Sequence, residues 1–162
     1  MNHLITGGSG FLGNLIMRRL LDQGEKVKIL DIWKPDDHPK DVEFIKSDIR
    51  NRDKVAKAMK GIDIVHHNVA LVPLTKSGKK FWDVNVIGSQ IASEEALKAN
   101  VKAFIHMSSS ALYGAVENFP IDQNTPVKPI EIYGEAKLAG EKVVLSTFAD
   151  SKMPLIVIRP RT

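Results

Sequence analysis

Tyr133 and Lys137 stand four residues apart in "YGEAK". On a helix that spacing puts them on one face, about a turn apart. A phenol with a pKa near ~10 is a poor base at neutral pH, but a fixed ammonium within a few ångströms favours the phenolate. Bringing it to ~7 takes roughly 4 kcal/mol of differential stabilisation, the work of the lysine and a second positive charge. Tyr and Lys at this spacing also occur by chance on exposed helix faces, so the pair gains meaning only from what surrounds it. Upstream, "MSSSALYG" (107–114) offers three serine hydroxyls directly after a strand-like run. Such a strand end is where open α/β sheets place their ligands.

A second cluster suits phosphate. "TGGSGFLG" spaces Gly7, Gly10 and Gly13 as G-x-x-G-x-x-G between a strand-like run and an amphipathic one. A pyrophosphate needs a tight turn, a backbone it can approach without a Cβ, and a helix N-terminus whose free N–H groups face it. The next strand ends at Asp31, near the ~20-residue distance expected of a carboxylate that binds an adenosine ribose. That carboxylate would repel a 2′-phosphate and favours NAD over NADP, with Lys34 partly offsetting the repulsion. An oxidised nicotinamide then supplies the second positive charge beside Tyr133. Asp48, taken alone, reads as a helix cap.

These groups need a scaffold. Short β-branched runs at 2–6, 26–31, 42–46, 62–67, 102–108 and 154–158 alternate with helical patterns at 11–23, 51–60, 79–99 and 131–148. This alternation predicts βαβ units in an α/β fold, a Rossmann-like, doubly wound parallel sheet of about six strands. In 11–23, Leu12, Leu15, Ile16 and Leu20 form one apolar stripe, expected to face the sheet. Leu155 to Ile158 are consecutive and apolar, the pattern of a strand buried on both faces. Loops are expected at 33–41, 72–78 and 117–129, where Pro, Gly and polar residues collect.

The 162 residues suffice for one domain, and 43% apolar with 26% charged residues is ordinary for a globular protein. The absence of cysteine excludes disulfides and thiolate metal sites. No apolar run approaches the ~20 residues of a membrane helix and no signal peptide is evident, so the expected location is cytoplasmic. A net charge of +4 is spread along the chain with no basic stripe, against nucleic acid as a partner. His66 and His67 are adjacent on a strand and point to opposite faces, so they cannot ligate one metal ion, and no metal site is expected. Trp33 and Trp82 are expected as packing residues.

Taken together, "TGGSGFLG", Asp31, "SDIR" (47–50), "HNVA" (67–70), "NVIGS" (85–89), "SSSALYG" (108–114) and "YGEAK" resemble the extended short-chain dehydrogenase/reductase family, the NAD-dependent epimerase/dehydratase group. The resemblance covers essentially the whole chain. It implies that Phe11 and Leu12 lie against the pyrophosphate, Asp31 holds the ribose, and Asp48 and Ile49 frame the adenine. His67, Asn68, Val69 and Ala70 would line the nicotinamide side, with Asn85 facing the cofactor from its helix. Tyr133 would be the acid/base, Lys137 would bind the nicotinamide ribose and poise the phenol, and Ser109 would hold the substrate hydroxyl. Val69, with polar Asn68 before it, departs from the small residue usual beside the nicotinamide. "RPRT" (159–162) replaces the Arg-Tyr-Phe-Asn-like run of sugar-nucleotide epimerases.

The implied activity is Tyr-assisted hydride transfer at a secondary alcohol of a small-molecule substrate, with a nucleotide sugar foremost. The alternatives are a steroid-like alcohol or a non-catalytic NAD-binding module that dimerises. Since relatives continue into a C-terminal substrate domain, residues 1–162 are expected to be a truncated NAD(P)-binding domain with no second domain and little turnover of its own, able to form a homodimer.

Overall fold

A computed structural model of the chain describes residues 1–72, 79–116 and 119–161. Most of the expected 72–78 loop, two residues of the 117–129 loop, and Thr162 lie outside the described residues. All six expected strands form: β1 (Asn2–Thr6), β2 (Lys26–Asp31), β3 (Glu43–Lys46), β4 (Ile64–His67), β5 (Ala103–Met107) and β6 (Leu155–Ile158). The helices are α1 (Phe11–Asp22), α2 (Arg52–Ala58), α3 (Lys79–Trp82), α4 (Gly88–Lys98) and α5 (Ile132–Phe148). The expected 79–99 helix is interrupted, because Asp83–Ile87 is wound as a π-helix between α3 and α4. A 3₁₀ turn, Ser110–Tyr113, follows β5.

Every strand pair is parallel, in the order β3-β2-β1-β4-β5-β6. Alternation along each strand splits the core in two. Leu4, Leu30, Val65 and Phe104 point to one face and pack with Val55 of α2, Ile91 of α4 and Val144 of α5. Ile5, Val27 and Ile29 point to the other and pack with Met17 of α1. The order reverses between β1 and β4, so their carboxyl ends diverge and leave a crevice where such sheets bind ligands.

Two expectations from the apolar patterns hold only in part. Of the expected α1 stripe, Ile16 and Leu20 pack against the core beside buried Gly13 and Met17, while Leu12 and Leu15 are exposed. The helix can approach the sheet most closely where it lacks a side chain, and Gly13 sets its rotation. β6 is not buried on both faces either: Ile156 is 49% and Ile158 42% exposed. β6 is the outermost strand, and consecutive apolar residues in an edge position leave alternate side chains uncovered.

Candidate functional site

The glycine turn after β1 is close to the smallest arrangement sterics allow. Gly7 adopts φ +72°, a conformation unfavourable for side-chain-bearing residues. A Cβ on Gly13 would lie 2.3 Å from the Gly7 carbonyl oxygen and 2.6 Å from Gly8 Cα, so only glycine lets α1 start here. A Cβ on Gly10, in contrast, would make only an ordinary contact, 3.4 Å from the Gly7 carbonyl oxygen. Gly10 is the N-cap of α1 and no side chain caps it. A helix N-terminus with free N–H groups beside an unobstructed glycine is a fit for a pyrophosphate. Phe11 and Leu12 open α1 at the rim of this turn with exposed side chains.

The turn is tied to the end of β2. The Ser9 N–H donates to Asp31 Oδ2 at 3.0 Å, the Ile32 N–H to Asp31 Oδ1 at 2.7 Å, and the Ser9 hydroxyl to the Trp33 carbonyl at 2.5 Å. Asp31 thus presents a fixed carboxylate at the crevice. A cavity of about 590 Å³ runs from it, lined by Gly7, Gly10, Asp31, Asp48, Ile49, Asn68, Val69, Ala70 and Leu71. Trp33 lines it too and is 60% exposed, so it is no packing residue; Trp82 is likewise exposed. Lys34 Nζ sits over the Phe44 ring, 5.7 Å from its centroid. Asp48 does not cap α2; Asn51 does, accepting from the Lys54 N–H at 3.1 Å. Asp48 instead takes two bonds from the Arg50 guanidinium, at 2.9 and 2.8 Å, which holds its carboxyl below the usual range.

His67 and Asn85 lie behind the cavity wall. His67 is buried, with Nδ1 2.8 Å from Thr6 Oγ1 and Nε2 3.0 Å from Ser89 Oγ. The Ser89 hydroxyl spends its only proton on the Asn85 carbonyl oxygen at 2.8 Å. It must therefore accept from His67 Nε2–H, which leaves Nδ1 to accept from Thr6. The relay needs a neutral imidazole, and burial pushes the His67 pKa well down. Its far end reaches the π-helix: the bond from Ser89 engages the Asn85 carbonyl, which also faces Gly140 of α5, where a Cβ would come within 2.4 Å of it. The Asn85 amide is spent on Leu71 N–H (3.1 Å), Leu71 C=O (3.0 Å) and Phe81 C=O (3.0 Å), so it fixes the wall of the cavity from behind.

Ser109, Tyr133 and Lys137 meet where β5 ends and α5 begins. Ser109 is the N-cap of the 3₁₀ turn, accepting from the Ala111 N–H at 3.1 Å, so it also does the local bonding expected of its neighbours. Tyr133 is half-buried and packs edge-on to Phe81, with centroids 6.4 Å apart. Burial pushes its phenol up and the Ser109 hydroxyl pulls it partly back, so in this structure the phenol is raised, not lowered. The ammonium is engaged elsewhere: Lys137 Nζ donates to the Met107 carbonyl at 2.6 Å. Lys137 is only 5% exposed, and burial brings it down to about 8, with the Glu141 carboxylate one turn along opposing that fall.

Glu141, equally buried, was not singled out in the sequence. It holds the Arg159 guanidinium through both oxygens, with Arg159 Nε donating to Oε2 at 3.0 Å. Arg159 also donates to the Tyr113 hydroxyl at 2.8 Å. The Glu at i+4 from Lys137 was a readable signal for a helix face continuing inward; its partner beyond β6 was not. A second, wider cavity of about 920 Å³ opens beyond this network, lined by Ser110, Tyr113, Val116, Phe119, Arg159 and Arg161 among others. Among the described residues no group of His, Cys, Asp and Glu is placed to hold a metal ion, and no helix is long and apolar enough to cross a membrane.

Comparison with known proteins finds relatives by sequence and by fold. The sequence model of the NAD dependent epimerase/dehydratase family matches residues 3–162. A UDP-glucose 4-epimerase of Lactobacillus helveticus is 36% identical over 153 residues, covering 89% of this chain and 46% of the relative. The sterol-4-alpha-carboxylate 3-dehydrogenase, decarboxylating, of Mus musculus is 33% identical over 144 residues, 87% of this chain and 40% of the relative. The chain thus spans less than half the length of these curated relatives. The crystal structure of a Thermus thermophilus UDP-glucose 4-epimerase in complex with NAD superposes with a TM-score of 0.90 at 27% identity, over 98% of this chain and 54% of that one.

Proposed function

Because the chain belongs to the NAD-dependent epimerase/dehydratase family, we propose that it is the cofactor-holding unit of an enzyme that oxidises a secondary alcohol on a nucleotide sugar. The observation that supports this reading is that the Gly10 helix N-terminus and Asp31 open a cavity at the carboxyl edge of the sheet, the same edge at which the chain leaves β5 through Ser109, the hydroxyl that bonds Tyr133. Gly7, Gly10 and Gly13 would cradle the pyrophosphate, Asp31 the adenosine ribose, and Lys137 the nicotinamide ribose. Bound NAD would supply the hydride acceptor. Ser109 would orient the substrate hydroxyl and Tyr133 would take its proton, then return it in the reverse step.

For Tyr133 to act as a base, the raised phenol must come down. Lys137 turning from the Met107 carbonyl toward the ribose and phenol, together with the positive nicotinamide, would supply the field. A nucleotide diphosphate is a ligand for the wider cavity, where Arg159 and Arg161 supply cationic lining beside Tyr113. A second reading, a sterol-like alcohol, draws on the apolar Val116, Phe119 and Ile121 of that same cavity and on the sterol-carboxylate relative.

Calorimetric titration with NAD and NADP tests the cofactor site: saturable NAD binding, tighter than NADP, is expected, and no binding to folded protein refutes it. The chain has only two tyrosines, so ultraviolet titration with and without NAD reads the phenol directly. The expected result is a phenol pKa lowered by NAD in the native chain and absent from Tyr133→Phe. An unshifted titration refutes the role given to Tyr133.

A further inference from the structure

Ile32 and Trp33 leave the end of β2 with both large side chains 60% exposed. An indole in water forgoes the burial that ordinarily places tryptophan inside, and here the main chain holds it there. The Trp33 carbonyl accepts from the Ser9 hydroxyl, and Ser9 N–H and Ile32 N–H occupy the two oxygens of Asp31, so the segment 31–33 is stapled to the glycine turn. Trp33 lines the 590 Å³ cavity together with Asp31, Asp48 and Ile49. Residues that line a cavity with a rigid backbone, an aromatic face and an adjacent carboxylate fit a flat, weakly polar ring attached to a diol.

We infer that Trp33 is the stacking platform for the adenine of the bound dinucleotide. This rests on the cofactor reading above and adds a residue to it. Asp31 takes the ribose hydroxyls, and the base, one glycosidic bond away, falls against the side chain two positions on. The pyrophosphate turn and the base platform share Ser9, so a ligand that seats its phosphates finds the indole already in place. Stacking uses a π-face that every purine has, so the platform contributes affinity for the purine half and little discrimination among purines.

The experiment uses the Trp82→Phe variant, in which Trp33 is the single remaining tryptophan, titrated with NAD, ADP-ribose and nicotinamide mononucleotide while its emission is followed and binding is measured by calorimetry. The expected result is that NAD and ADP-ribose quench the emission with the calorimetric midpoint, and nicotinamide mononucleotide does not. Trp33→Ala should weaken both purine ligands by about 5- to 100-fold with an unchanged melting temperature, and Trp33→Phe should recover most of the loss. Calorimetric binding of NAD with unaltered emission and an undiminished Trp33→Ala affinity overturns this inference and leaves the cofactor reading standing. Quenching by the mononucleotide alone overturns it as well. No calorimetric binding of NAD or ADP-ribose overturns both.

Discussion

His106 lies one strand over from His67, with the rings stacked at a centroid distance of 5.6 Å, and neither of its nitrogens has a hydrogen-bond partner among the described residues. It is 1% exposed, and burial, reinforced by the Lys137 charge, pulls its pKa down to about 3. The unfolded chain would titrate the same ring near ~6.5. A depressed histidine is neutral in the fold, so below the unfolded pKa only the unfolded state gains the proton, and stability falls with pH until the folded pKa is reached. Between pH 7 and pH 5 the linkage from this one residue is about 2 kcal/mol, a large share of the ~5–15 kcal/mol of a typical domain. The perturbation is His106→Leu, similar in volume and without the two unpartnered nitrogens. Urea unfolding at pH 7 and pH 5 should show the variant losing about 2 kcal/mol less than the native chain over that interval, or roughly 4–8 °C in melting temperature. The other histidines titrate in both proteins and cancel. Parallel stability curves for the two proteins between pH 7 and pH 5 would show that His106 is not held neutral, and the reasoning fails.

Gly13→Ala forces a Cβ into the Gly7 and Gly8 backbone; thermal melting should show a loss of stability, and calorimetry a NAD affinity at least about tenfold weaker. Asn85→Ala leaves Leu71 and Phe81 backbone groups without partners, and denaturant unfolding should register a loss of about 1–3 kcal/mol, with weaker NAD binding because Leu71 lines the cavity. Glu141→Gln removes the carboxylate that keeps Lys137 charged and pairs Arg159. Stability should fall by about 3 kcal/mol, and the alkaline loss of NAD affinity, set by Lys137 near 8 in the native chain, should move to lower pH.

The strands were legible because each is a compact β-branched run closed by polar or glycine residues, and the glycine turn because its spacing has few uses other than phosphate. What escaped depended on partners distant in sequence. The π-helix at Asp83–Ile87 lies where Gly140 of α5 approaches the Asn85 carbonyl, a contact that leaves no mark on the helical pattern of 79–99. Leu12 and Leu15 form a sound apolar stripe, yet Gly13 decides which side of α1 meets the sheet. Trp33 departs from the expected packing role because apolarity predicts burial on average and cannot show where a chain holds an aromatic ring open. His67 and Asn85 were expected beside the cofactor and stand one layer behind, as supports for the residues that line the cavity.

The contact between Gly140 and the Asn85 carbonyl joins two parts that would otherwise be independent. Helix α5 carries the phenol and the ammonium, and Asn85 fixes the wall of the cavity. With no side chain between them, α5 packs directly on the backbone that holds the cavity wall, like the arms of a caliper closed at the pivot. Proton transfer tolerates donor–acceptor separations of only about 2.6–3.2 Å, and a methyl wedge at this pivot would consume more than that range. The glycine therefore acts as a spacer of zero thickness that sets the gauge between the face of α5 bearing Tyr133 and Lys137 and the cavity proposed for the cofactor.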